Sequence, residues 1–308
     1  MKKLQKIILT IFAIIISVTG LAQNSADGNV ITLTKQGSHY IFFANINDKA
    51  EATVLLESGI SAMLVDSALV FSTGAFSEME LLPAEGAKKM NLGGRVYTIT
   101  HKANGKVKIS DDISYVGDIW VLSQFAQKHN AAVPVQYLRN DKDNGSCIVS
   151  LNLAGNTLQL ISRSSLRKQK HVSSKVKMNT DTYLGMPAVE TTILIESGTK
   201  PRTLKGNFNI DFGNPELLFL LEQSNDVQQF FAENSDIQLH QARNLRGDVV
   251  GQYMIAGSCQ ICGKQFPNAV IATTSHLPRF TTTGLIGLKF FFSTTAIFDF
   301  DNNLMYVL

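Results

Sequence analysis

The sequence predicts an all-β chain built as two similar halves, and three observations carry that prediction. Short runs rich in Val, Ile, Thr, Tyr and Phe recur along the chain, with Gly or Asn between them. Alternating strand–helix–strand units are absent, which argues against a parallel nucleotide-binding sheet. The halves repeat one order of strands, with an acid-x-Gly tripeptide at the same place in each.

The chain opens on a basic stretch, Lys2, Lys3 and Lys6, followed by an apolar run over residues 7–18 and then Gly20-Leu21-Ala22. That pattern reads as a signal peptide, residues 1–22, cleaved before Gln23. The apolar run is short for a membrane span, and no Cys follows it to carry a lipid. The mature chain is expected in the periplasm or secreted, with no later membrane span. Of 308 residues, 44% are hydrophobic and 17% charged, enough for a core and against disorder. Lys plus Arg is 28 and Asp plus Glu is 25, and losing the three leader lysines brings the mature chain near neutrality. A polybasic nucleic-acid binder is therefore excluded.

In the first half, residues 29–34, 40–46, 53–56, 95–101, 106–110, 119–122, 147–153 and 157–161 read as strands. In the second half, residues 188–195, 206–210, 217–220, 249–255, 268–273 and 296–300 do so. Helices are expected near residues 66–71, 122–128 and 226–233. Residues 162–182 carry Arg163, Arg167, Lys168, Lys170, His171, Lys175 and Lys177, and read as a solvated connector. The expected organisation is a first lobe over residues 23–162, a basic linker over 163–182 and a second lobe over 183–308.

In each half a pair of strands runs into the acid-x-Gly, Glu57-Ser58-Gly59 and then Asp211-Phe212-Gly213. Apolar residues follow both, Ala62-Met63-Leu64-Val65 and Leu217-Leu218-Phe219-Leu220. The second half closes on Gly284-Leu285-Ile286-Gly287-Leu288-Lys289-Phe290-Phe291 and Ile297-Phe298-Asp299-Phe300-Asp301-Asn302-Asn303-Leu304. In this order, these segments resemble the pepsin/retropepsin superfamily of aspartic peptidases, in particular the secreted retropepsin-like proteins of Bacteroidetes type. The resemblance spans nearly all of the mature chain. It implies a two-lobed aspartic-peptidase-like fold, with one β-barrel lobe per half. It implies no metal and no organic cofactor. One chain supplies both halves of the site, so a monomer is expected.

The resemblance assigns Glu57 and Asp211 as the candidate catalytic dyad, with Ser58, Gly59, Phe212 and Gly213 as the supporting loops. Two carboxylates a hydrogen bond apart share one proton. The ionised one deprotonates a water and the protonated one polarises a peptide carbonyl. The family's tripeptide is Asp-Thr/Ser-Gly twice, and this chain departs from it at two positions. Glu57 is one methylene longer, shifting its carboxylate by roughly 1–1.5 Å. A displacement of that size in a catalytic group costs on the order of a hundredfold. Phe212 lacks the hydroxyl that braces the lobes and brings ring volume to its place. Val133-Pro134-Val135-Gln136-Tyr137-Leu138 stands where the first lobe needs a counterpart of the Gly284 segment. The expectation is a pseudo-peptidase that binds a peptide or other extended ligand between the lobes. The alternative is an active endopeptidase with an altered dyad, acid-favoured and pepstatin-sensitive. A flap is expected over residues 96–109, with Ala103-Asn104-Gly105 at its tip.

Cys259 and Cys262 have redox or half-zinc-site spacing, but strand-like runs and Gly257 and Gly263 flank them. They read as a hairpin tip holding a local disulfide or two buried thiols. Cys147 is the third cysteine. Glu196-Ser197-Gly198 copies the first tripeptide, but a polar turn follows it, so Glu196 reads as a turn residue.

Overall fold

The hairpin over residues 39–57 shows how this sequence makes sheet. Phe42, Ala44 and Ile46 alternate inward while Phe43 and Asn45 face outward. The turn places Asn47 and Asp48 at φ +51° and +58°, a left-handed conformation that Asn and Asp accept more readily than other side chains.

The computed structural model describes residues 29–92, 95–125, 129–180, 185–198, 200–243, 248–274, 277 and 280–308. The signal peptide expected over residues 1–22 lies outside them. The first half contains β1 (Val30–Thr32), β2 (Thr34–Gln36), β3 (His39–Ile46), β4 (Ala50–Glu57), β5 (Met63–Asp66), α1 (Ser67–Thr73), β6 (Leu82–Leu92), β7 (Arg95–Ser110), β8 (Ile113–Leu122), β9 (Ala131–Pro134) and β10 (Leu138–Asn140). Next come β11 (Ile148–Asn152), β12 (Thr157–Leu160), α2 (Arg163–Arg167) and β13 (Ser174–Asn179). The second half contains β14 (Ala188–Ser197), β15 (Lys200–Ile210), β16 (Leu218–Leu221), α3 (Asn225–Glu233), β17 (His240–Arg243), β18 (Val249–Ile261), β19 (Lys264–Thr274), β20 (Gly284–Ile286), α4 (Leu288–Phe291), β21 (Ala296–Asp299) and β22 (Leu304–Val307).

The fold is all-β and two-lobed. The second lobe orders its strands β14-β15-β20-β16-β19-β18, and β18 pairs back onto β14 to close a six-stranded barrel. The first lobe repeats the order as β3-β4-β9-β5-β8-β7. In place of a β3–β7 ladder, Asn47 N–H donates to Lys108 O at 3.0 Å and Lys108 N–H to Asn47 Oδ1 at 2.8 Å. The parallel pairs correspond as well: β4 with β9 and β5 with β8, then β15 with β20 and β16 with β19. Between the lobes lies an antiparallel platform, β1-β12-β11-β21-β22-β13, with β11 and β21 at its centre. One buried apolar core runs through both lobes and the platform.

Two helices fall where expected. α1 is capped by Asp66, whose carboxylate accepts from Ala68 N–H at 2.8 Å, and α3 buries Val227 and Phe230. The helix expected over residues 122–128 does not form in its described part. β8 runs to Leu122, and Gln124 at φ +57° turns the chain instead. Ala103-Asn104-Gly105 is not a flap tip: β7 is continuous, and these residues pair with Ile119, Asp118 and Gly117 of β8. β6 pairs with the start of β7, from Leu92 with Arg95 to Leu82 with Lys102. Within the basic segment, β13 pairs with β22 and β14, and Arg163 of α2 holds Asp299 and Asp301.

Candidate functional site at the lobe interface

Each lobe delivers its acid at the end of a buried strand. Val54, Leu55 and Leu56 fill the core beneath Glu57, with β9 alongside. Phe208, Asn209 and Ile210 do the same for Asp211, with β20 alongside. A strand flanked by core and by a parallel neighbour has little freedom, so the turn after it is rigidly placed.

The two carboxylates converge. A methyl group placed on Gly213 would lie 3.1 Å from Asp211 Oδ1 and 3.4 Å from Glu57 Oε2. One placed on Gly59 would lie 3.4 Å from Asp211 Oδ1 and 3.9 Å from Glu57 Oε2. Any side chain at Gly213 would crowd both acids, which is why glycine serves there. Each carboxylate is held by its own loop. Gly213 N–H donates to Asp211 Oδ1 at 2.9 Å, with Asn214 N–H assisting, and the N–H groups of Ser58 and Gly59 serve Glu57. Burial pushes Glu57 up to about 8, the negative charge of Asp211 adds to the rise, and the backbone donors oppose it. Burial pushes Asp211 up to about 6 against the same kind of donors.

Ser58 crosses between the lobes. Its Oγ donates to Ile210 O at 2.8 Å and accepts from Phe212 N–H at 3.0 Å. Half of the expected hydroxyl brace is therefore present. Phe212 does not lie between the acids. Its ring is buried against Phe291 and Phe298, with centroids 5.4 and 6.1 Å away. Sequence reasoning missed Gln136. It is buried, and its Nε2 lies within 3.1–3.2 Å of the carbonyls of Ser58, Ile60 and Gly185. The strand match placed residues 133–138 beside the first loop, but nothing in the residue type announced a bridge.

A crystal structure of an aspartic proteinase from Irpex lacteus superposes with a TM-score of 0.53 at 10% identity, covering 90% of this chain and 96% of that one. The fold is aspartic-peptidase-like. No protein-family profile matches the chain. No curated protein matches it either.

Within this fold the remaining motifs are peripheral. Cys262 and Gly263, at φ +46° and +80°, form the two-residue turn between β18 and β19. Cys259 and Cys262 are buried free thiols, pushed by burial up to about 12 and about 11. Cys147 is also a buried thiol, against the carbonyls of Val135 and Gln136. Glu196 stands near the end of β14, where it accepts a hydrogen bond from Ser258. No helix among the described residues is long and apolar enough to cross a membrane.

Proposed function

We propose that this chain is an exported aspartic-peptidase-like protein that binds an extended peptide between its lobes, with Glu57 and Asp211 as a proton-sharing acid pair. The observation that carries the reading is the convergence of the buried Glu57 carboxylate and the partly buried Asp211 carboxylate over Gly213, each fixed by its own backbone donors. Two such groups ionise one at a time. In the singly protonated pair, the carboxylate takes a proton from a water whose oxygen bonds to the peptide carbonyl carbon. The carboxylic acid hydrogen-bonds and then protonates the carbonyl oxygen. Collapse of the tetrahedral adduct breaks the C–N bond: the leaving nitrogen takes a proton from the pair, and a hydroxyl of the adduct returns one to it as the C=O bond re-forms. The Phe212 ring is turned into the core, against Phe291 and Phe298.

A second reading is peptide binding without turnover. The observation favouring it is the extra methylene of Glu57 beside an intact Asp211, which gives the two acids unequal reach. One experiment separates the two. Residues 23–308 are incubated with a denatured protein mixture from acid to neutral pH, with pepstatin, Asp211→Ala and Glu57→Ala as controls. Products that vanish in both variants establish the acid pair as catalytic. Folded protein with no variant-sensitive cleavage overturns turnover and favours the second reading.

A further inference from the structure

We infer that Gln136 is a positioning residue that clamps the loop after Glu57 to the second lobe and keeps water from the Glu57 side chain. The inference rests on the proposed role of Glu57 and Asp211, and it begins from an asymmetry between the lobes. Glu57 pairs with Pro134 as the chain leaves β4, and Gly287 occupies the corresponding place beside Asp211. Counting on two residues, Gln136 in the first lobe corresponds to Lys289 in the second. Lys289 is exposed and pairs with Glu216 at the surface. Gln136 instead points its amide into three backbone carbonyls.

Those carbonyls define the role. Ser58 O and Ile60 O flank Gly59, so holding both fixes the bend that carries Glu57. Gly185 O belongs to the second lobe. The next residue, Met186, reaches across until its Cε would lie 3.5 Å from a methyl on Gly59. Tyr137 grips the same point: Gly185 is at φ +65°, and a side chain there would meet the Tyr137 hydroxyl at 3.0 Å. The amide therefore pulls the Gly185–Met186 segment down onto the loop beside Glu57.

The arrangement also explains why an amide is retained. Two N–H hydrogens shared over three carbonyls fix the orientation, since the flipped amide would face oxygen with oxygen. The consequence is that Gln136 Oε1 is buried with no partner. A buried polar group left unsatisfied is a penalty that a merely space-filling residue would avoid. The penalty falls in the first lobe, whose loop receives no side-chain hydroxyl from Phe212 of the second. Gln136 ties the first-lobe loop, through Ser58 O and Ile60 O, to Gly185 O of the second lobe.

The test is Gln136→Met, which keeps the length and removes the donors, with Gln136→Glu as the second variant should the first fail to fold. Amide hydrogen exchange and a carbon-13 NMR titration of the Glu57 carboxyl are read on the full mature chain. Exchange at Gly59 and Met186 is expected to quicken at least tenfold while amides of β11 and β21 keep their rates, and Glu57 is expected to titrate lower. In Gln136→Glu, the same local opening is expected above the pH where the new acid ionises, and closure below it. Unchanged exchange at Gly59 and Met186, or one uniform acceleration across the chain, overturns the clamp. An ordinary Glu57 titration in the unaltered protein would instead overturn the acid-pair reading, while the exchange comparison still decides the clamp.

Discussion

The Ser58 hydroxyl accepts the amide hydrogen of Phe212 at 3.0 Å and passes its own hydrogen to Ile210 O at 2.8 Å, so one side chain of the first lobe holds both flanks of Asp211. The substitution of a phenylalanine for a hydroxyl residue leaves this half of the brace intact, because the contact uses the Phe212 backbone. Replacing Ser58 by Ala orphans a buried N–H. A loss of roughly 1–3 kcal/mol is expected, read as a lower urea midpoint with an unchanged slope. An unchanged midpoint would mean that the hydroxyl contributes nothing to lobe closure.

The acid pair sets a pH dependence of definite sign. Glu57 is raised from 4.5 to about 8, chiefly by burial, and Asp211 from 3.8 to about 6, also by burial. A carboxyl whose value is raised by folding binds its proton more tightly in the native state. Stability from this source is full below the unfolded values and is lost as pH rises through about 6 and about 8. Glu57→Gln removes one titrating group, so its denaturation midpoint is expected to fall less between those limits. The same limits bound the singly protonated pair. Hydrolysis is expected to extend to higher pH than a pair of ordinary carboxylates allows, because burial raises both acids. A cleavage optimum near pH 4 would contradict this.

Phe212 is a core residue as much as a loop residue. It forms edge contacts with Phe291 and Phe298, and Phe290 and Phe300 extend the cluster. Phe212→Ala is expected to destabilise by about 3–5 kcal/mol, and Phe212→Leu by clearly less. Equilibrium unfolding checks both. A neutral alanine variant would show that the ring is not part of the cooperative core.

The acids themselves were legible in the sequence because each ends an apolar strand and each stands before a glycine. The fate of the ring beside Asp211 was not. Phe291 and Phe298 lie in the closing segment far along the chain, and only tertiary packing shows that they form a socket for Phe212. Gln136 was hidden for the same reason, since its partners at residues 58, 60 and 185 are set by strand pairing. The misplaced flap has a local cause. Ala103-Asn104-Gly105 carries turn-forming residues, yet the ladder from β7 to β8 continues through all three. Asn104 is even used within it, donating to Asp118 Oδ1 at 2.7 Å.

Arg163 gives the last prediction, and it bears on how the two halves are joined. The sequence offered a run of basic residues, which alone reads as a solvated strap. In the fold, Arg163 forks between Asp299 and Asp301, reaching Asp301 Oδ2 at 2.9 Å. Asp299 is only 1% exposed and also accepts from Asn302. The arginine therefore neutralises a buried carboxylate at the end of a central platform strand. Breaking such a pair from one side leaves a charge without its partner, typically about 3–5 kcal/mol when both groups are buried. Arg163 is 30% exposed, so solvent screening lowers that figure. Arg163→Met is expected to lower the unfolding midpoint, and adding Asp299→Asn to recover part of the loss, a coupling that a double-mutant cycle measures. If the segment were a free strap, Arg163→Met would change neither the midpoint nor the effect of Asp299→Asn.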